Sequence, residues 1–163
     1  MLKDSDRVLY YKVVSEGEDN KLYSSIIHKI VSNSFYFNTP MRDYKVVDLL
    51  VEYKVGKWVK PIIKGTKLCV FSTLEAAVNF AVRQFIVKPK VYTCHIKGKG
   101  VLVANIAGQY IDSSFVESIV DKWKDWEKNK RKLCLYHDGI SATQVKLLES
   151  INIDDSWREC YHV

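Results

Sequence analysis

The chain is 163 residues long, which fits one ordinary domain. Hydrophobic residues make up 47% of it, and Gly (7) and Pro (3) are few, so the composition excludes a disordered or fibrous protein. The formal net charge of +6 allows a polyanionic partner, although charge of this size also simply keeps a small domain soluble.

The lack of a long apolar run, the charged N-terminal residues and the spacing of the cysteines together predict a cytoplasmic protein without a membrane span. No apolar run reaches the length that crosses a bilayer, and residues 1–7 lack the apolar core of a secretory signal. The cysteines are widely spaced and form no CxxC motif, which is typical of reduced thiols; they are Cys69, Cys94, Cys134 and Cys160. A disulfide between two of them is the alternative.

Alternation of apolar and polar residues dominates the first half of the chain. It predicts a strand over 7–15 and a longer one over 44–55, where every second residue is apolar. Residues 21–31 fit a strand or a helix equally well, and 32–42 reads as an irregular loop. The structure of 21–42 therefore stays open at this point.

A strand–helix unit follows in the middle of the chain. Residues 67–71 form a short predicted strand, and Ser72 with Glu75 matches a capping box at the start of a helix. The helix carries one apolar stripe and ends before Pro89; the stripe is Leu74, Ala77, Val78, Ala81, Val82 and Phe85.

The last third alternates between strands and helices. Residues 91–96 and 101–106 look like a hairpin around the 97–100 turn. A second helix is predicted from Ser114 to about Lys130, and a strand over 132–136 follows it. Ser141 with Gln144 repeats the capping pattern and predicts a third helix to about residue 151. We therefore expect a single α+β domain over 1–163, with a mostly antiparallel sheet and about three helices.

Recognisable catalytic motifs are absent. The segments 64–67 and 97–100 lack the glycine spacing of a phosphate-binding loop, and no zinc-ligand spacing occurs. We expect neither a metal nor a cofactor, and we favour a protein without catalytic activity. His137 is the one candidate acid–base residue, because it lies beside Asp138 at a predicted strand end; His-Asp-Gly is equally a common turn sequence.

A basic run at the end of the second predicted helix is the sharpest surface feature. Its cations could neutralise phosphates and its tryptophan could stack on a base; the residues are Lys122, Lys124, Trp126, Lys128, Lys130 and Arg131. The alternative is an ordinary solvated helix end, where cations are favoured by the helix dipole and pair with nearby acids.

Three segments carry a resemblance to known proteins: residues 53–58 (YKVGKW), 68–77 (LCVFSTLEAA) and 91–94 (VYTC). They look like small uncharacterised phage or viral proteins. They are also similar to the strand–helix–strand segment of ADP-ribosyltransferase-like folds, which implies a nicotinamide-cofactor pocket beside a strand that ends in Ser or Thr. NAD would then be the cofactor. The pocket candidates would be Arg7, Tyr10, Ser72, Tyr92 and His137.

The chain lacks the acidic residue and the paired glycines of such pockets, and the spacing of Ser72 to Glu75 explains that serine as a helix cap. Our first hypothesis is a non-enzymatic interaction module, viral in type, that binds a host protein or nucleic acid through a basic and aromatic surface. The alternative is an ADP-ribosyltransferase-like enzyme that uses a nucleotide cofactor. The oligomeric state, including an assembly role, stays open.

Overall fold

Strands are the commonest regular element in the computed structural model, which describes residues 8–25, 28, 46–83, 86–103, 124, 128 and 135–153. In chain order the elements are β1 (Tyr10–Glu16), β2 (Leu22–Ser24), a 3-10 turn (Val46–Leu49), β3 (Glu52–Tyr53), β4 (Trp58–Val59), β5 (Leu68–Phe71), α1 (Leu74–Arg83), β6 (Pro89–Lys97), β7 (Gly100–Val103), β8 (Leu135–Ala142) and β9 (Gln144–Ile151). The predicted α+β class with a mostly antiparallel sheet is confirmed.

The described strands form one antiparallel sheet in the order β4-β9-β6-β1-β5-β8-β7, and β2 and β3 extend it beside β1. Only Thr143 separates β8 from β9, so these two strands are one stretch of chain that bends sharply. Since β8 pairs with β5, β9 pairs with β6, and β1 pairs with both β5 and β6, the sheet curls round on itself. It therefore has an enclosed inner face and an outer face.

Each face of the curled sheet has its own apolar core. The inner face, which carries Tyr10, Lys12 and Val14 of β1, encloses a cluster that includes Tyr53, Val70, Cys94, Val145 and Leu147. On the outer face, Val13, Phe71 and Val91 pack against the buried side of α1. Strand β1 is thus covered on both sides, and its register of alternating residues decides which core each side chain joins.

The predicted third helix is wrong, because residues 144–151 form β9. Val145 and Leu147 are fully buried on the inner face and Lys146 between them lies on the outer face, which is the two-residue period of a strand. The described residues contain one helix, α1, instead of about three. The second predicted helix lies outside the described residues except Lys124 and Lys128, which are both helical.

Two further predictions need correction. Strands β6 and β7 are not a hairpin: β6 pairs with β1 and β9, whereas β7 pairs with β8, so the residues between them form a bend. The predicted strand over 44–55 is also shorter, since a 3-10 turn precedes the two-residue β3. Of the described helices, none is long and apolar enough to cross a membrane.

Candidate functional site

The structure places only part of the predicted basic run. Lys124 and Lys128 are exposed and helical, as predicted. The other four residues of the run, Lys122, Trp126, Lys130 and Arg131, lie outside the described residues. A nucleic-acid surface on this helix therefore stays a prediction.

The candidate cofactor pocket is also placed in part. The strand–helix–strand order is present as β5, α1 and β6. Tyr10 and Tyr92 both lie half-buried against the inner core. Arg7 and the side chain of His137 lie outside the described residues, although the backbone of His137 belongs to β8.

Ser72 does not cap α1 as the capping pattern predicts. Its backbone N–H donates to the Asp138 carbonyl oxygen at 2.8 Å, and its hydroxyl lies 3.3 Å from the same oxygen, so it continues the pairing of β5 with β8. Thr73 is the cap instead, because its Oγ1 accepts the Ala76 N–H at 3.2 Å. Ser72 is thus held by a strand contact.

Ser15 and His28 lie together at the end of β1, although no sequence pattern predicted their contact. Ser15 Oγ is 2.6 Å from His28 Nδ1 and also donates to the Val87 carbonyl oxygen. A carbonyl can only accept, so the single hydroxyl proton points to Val87 and His28 Nδ1 must donate its own proton. His28 therefore does not act as a base towards Ser15, and the pair ties β1 to the segment after α1.

The surroundings of His28 support a structural role. Its ring stacks on Tyr23 at 5.2 Å, and Tyr23 in turn donates to Asp19 at 2.5 Å. This hydrogen bond to the carboxylate raises the pKa of Tyr23 to about 12. Partial burial lowers the pKa of His28 and favours the neutral ring.

The described residues contain no group of three or more His, Cys, Asp or Glu side chains that could hold a metal ion.

Lysines collect on the outer face where β4, β9 and β6 lie side by side. Trp58 is paired in register with Lys146, and the Lys146 ammonium lies 5.2 Å from the centre of the Trp58 ring. The Lys97 ammonium lies over the same ring at 4.2 Å. Both distances are typical of cation–π contacts. One aromatic ring thus carries two cations.

Further lysines surround this contact. Lys54 and Lys57 are exposed in the turn before Trp58, and this turn is tied to β9 by the Gly56 N–H, which donates to the Leu147 carbonyl oxygen at 2.8 Å. Lys67 Nζ lies 3.8 Å from where a Cβ of Gly100 would be. Lys99, at the bend after β6, lies instead 5.8 Å from the centre of the Tyr10 ring, which belongs to the inner face. We call the following set the lysine face: Lys54, Lys57, Trp58, Lys67, Lys97 and Lys146.

Carboxylates are few in the segments that build the lysine face. Residues 54–67 include five lysines and no Asp or Glu, and 97–100 adds none, whereas β9 carries Glu149 three residues after Lys146. The ion pair between Lys90 and Glu16, at 2.9 Å, lies at the opposite end of β6. Lysines therefore outnumber carboxylates in the segments that build the lysine face.

A second cluster of chemical groups lies on the inner face. Lys12 is only 5% exposed, its ammonium nitrogen donates to the Cys69 carbonyl oxygen at 2.7 Å, and it lies 5.3 Å from the centre of the Tyr53 ring. Burial lowers the pKa of Lys12 and raises the pKa of the Cys94 thiol to about 12. Alternation along 7–15 gave no sign of this, because it leaves Lys12 on the face away from the apolar residues.

No family model, curated protein or solved structure matches this chain. The chemistry of the lysine face and of the inner cluster around Lys12 is therefore what indicates a function. The lysine face offers exposed cations beside an aromatic ring and suits a large polyanion. The inner cluster offers a buried amine and suits at most a small molecule.

Proposed function

We propose that this chain is a nucleic-acid-binding module without catalytic activity and that the lysine face is its contact surface. The observation that carries the proposal is the pair of ammonium groups, on Lys97 and Lys146, that lie over the Trp58 ring in a patch whose segments carry more lysines than carboxylates. The proposal keeps the kind of surface expected from the sequence, basic and aromatic, and moves it from the second helix to the sheet.

A lysine that contacts the Trp58 ring can exchange this contact for a stronger one with a phosphate. A cation–π contact at an exposed site contributes about 0.5–1 kcal/mol. Hydrogen bonds between an ammonium group and a phosphate are stronger, being charge-assisted on both sides. A phosphate could therefore draw Lys97 from the ring at little cost, and the freed face of Trp58 could stack on a base. Stacking on Trp58 needs an unstacked base, so these contacts favour single-stranded nucleic acid over a duplex, in which the bases are already stacked on one another.

The salt dependence of binding follows from the number of lysines. If all five lysines of the lysine face contacted phosphates of a single strand, log K would fall with log salt with a slope of about −3.5, since each neutralised phosphate contributes about −0.7. A slope near zero would contradict the proposed contacts.

The decisive experiment is fluorescence anisotropy with a labelled single-stranded oligonucleotide, at about 50 mM and about 200 mM salt. We expect the double variant Lys54→Ala/Lys97→Ala to bind about tenfold more weakly, because two phosphate contacts are lost. Lys21→Ala/Arg83→Ala removes the same charge elsewhere and should stay within about twofold of wild type. Equal weakening by both variants would reduce the effect to net charge and overturn the proposal.

A third variant tests the other basic surface. Lys124→Ala/Lys128→Ala removes two exposed cations of the predicted second helix. Loss of affinity here, with normal binding by the Lys54→Ala/Lys97→Ala protein, would move the contact to that helix. Polyglutamate is the remaining comparison: if it binds as tightly as the oligonucleotide, the partner is an acidic protein and the nucleic-acid proposal fails.

A further inference from the structure

The buried amine of Lys12 has an unusual set of neighbours. It lies in the middle of β1 on the inner face, and the groups facing it are the Tyr53 ring, the Cys94 thiol and the Cys69 carbonyl oxygen, whereas the Cys69 side chain packs against the outer core. Among the described residues, no carboxylate is close enough to perturb it. A buried charge without an opposite charge is strongly disfavoured, so this environment favours the uncharged amine.

The contact with Cys69 orients that amine. An uncharged lysine nitrogen has two N–H groups and one lone pair. One N–H donates to the Cys69 carbonyl oxygen at 2.7 Å, which fixes the nitrogen and leaves its lone pair outside that bond. Desolvated lysines of this kind are the nucleophiles that form imines with carbonyl compounds.

Tyr53 supplies a second unused group. Its side chain is 2% exposed, and its hydroxyl has no hydrogen-bond partner in the part of the chain that the structure describes. Native proteins rarely leave such a group unpaired, so an orphan hydroxyl points to a ligand with an acceptor oxygen. Burial raises the pKa of Tyr53 well above its usual value, and the phenol therefore remains a donor.

The two thiols compete poorly with the amine. The pKa of Cys94 is raised to about 12 by burial, and burial also raises the pKa of Cys69. A protonated thiol is a weak nucleophile, since the thiolate is the reactive form. Lys12 is therefore the reactive nucleophile of this cluster.

We propose that Lys12 and Tyr53 form a site for a small carbonyl compound, which Lys12 binds as an imine while the Tyr53 hydroxyl donates a hydrogen bond to the carbonyl oxygen. The bond from Lys12 Nζ to the carbonyl carbon forms and the carbon–oxygen bond breaks. The oxygen leaves as water with the two protons of the amine, so no oxidant or reductant is needed. This inference is independent of nucleic-acid binding, because the lysine face lies on the other side of the sheet.

The test is reductive trapping on the intact protein. Wild-type protein is treated with acetaldehyde and cyanoborohydride at pH 7, and the ethylated lysines are mapped by mass spectrometry of its peptides. We expect Lys12 to be modified faster than the exposed Lys57 and Lys21, because its amine is buried without a carboxylate among the groups that perturb it and burial favours the uncharged, nucleophilic form. Modification of the exposed lysines with Lys12 untouched would overturn the proposal, as would modification of Lys12 only in denatured protein.

Two variants separate the roles of the residues. Lys12→Arg keeps a cation that forms no such imine and should abolish the fast site. Tyr53→Phe keeps the ring and removes only the hydroxyl, so we expect slower trapping at Lys12 and unchanged trapping at Lys57. An unchanged rate at Lys12 would remove Tyr53 from the site. If either variant fails to fold, the map of the wild-type protein still decides the proposal.

Discussion

Replacing Lys12 with methionine should stabilise the protein, and the gain should depend on pH. Methionine is close in volume and carries no charge, so the variant removes the cost of burying an amine without an opposite charge. The pKa of Lys12 in the folded protein is lowered from its ordinary 10.5. In the window between the folded value and 10.5, the unfolded chain binds more protons than the native one.

The sign follows from this difference in bound protons. The free energy of unfolding of the wild-type protein therefore rises with pH through that window. Above pH 10.5 the amine is neutral in both states and burial of the charge costs no stability. As pH falls through the folded pKa this stability is lost, because the buried amine must then take up a proton. One proton changes the free energy by at most about 1.4 kcal/mol per pH unit. With a urea m-value of about 2 kcal/mol/M, the midpoint difference between Lys12→Met and wild type should grow by up to about 0.7 M for each unit of falling pH.

Urea unfolding of both proteins at several pH values from about 5 to about 10 measures this difference and covers the window below 10.5. The two proteins share the same thiols, so the titration of those groups largely cancels from the difference. Lys57→Met is the matched control, because Lys57 is exposed and pays no burial cost; its effect should not change with pH. A pH-independent difference for Lys12→Met, or a destabilised variant at neutral pH, would refute the reasoning.

Four further predictions concern the bend, the helix, the core and the cofactor. Gly56 and Gly98 both have positive φ. Alanine at Gly56 should therefore cost about 1–2 kcal/mol in unfolding free energy. Alanine at Gly98 should cost about 1–3 kcal/mol more than that, because its Cβ would also overlap Thr143. Thr73→Ala removes the cap of α1 and should cost about 1 kcal/mol by chemical denaturation. Leu147→Ala should cost about 2–5 kcal/mol, since the side chain is fully buried, and a loss below about 1 kcal/mol would argue against the inner core. The ADP-ribosyltransferase-like alternative predicts a higher melting temperature at millimolar NAD, and an unchanged one would argue against it.

Local sequence signals predicted the elements whose contacts are local. Alternation over 7–15 and the apolar stripe after residue 73 identified β1 and α1 because each pattern matches the face that the element buries. The helix start was placed one residue early, since Ser72 and Thr73 both carry a hydroxyl. Only the bond from the Ser72 N–H to the Asp138 carbonyl oxygen, 66 residues away in the chain, keeps Ser72 in the strand and leaves Thr73 as the cap.

Strand β9 could not be predicted from its own residues. Ser141 and Gln144 match a capping pattern, and the apolar residues after them also fit a helical stripe. What decides the structure is the pairing of β9 with β6, which lies about fifty residues earlier in the chain and offers its edge from Val91 to Lys97. Such long-range pairing outweighs local propensity and leaves no trace in a short window of sequence.

The lysine face was missed for the same reason. Lys97 follows Trp58 by 39 residues and Lys146 follows Lys97 by 49, and only the strand order β4-β9-β6 brings the three together. The inner cluster depends on closure of the sheet: a lysine in an alternating strand is normally solvated, and Lys12 is buried because the curled sheet encloses the inner face of β1.

The alternation of β6 also explains why the two proposed sites can fail separately. Cys94 and Ile96 point to the inner core that surrounds Lys12, whereas Lys97 points outward to Trp58. A substitution at Lys97 therefore removes a cation from the outer face without touching the packing around the buried amine. Lys12→Arg likewise alters the inner cluster and leaves every lysine of the outer patch in place. Loss of oligonucleotide binding with normal trapping at Lys12, or the reverse, would thus identify which of the two interpretations is wrong.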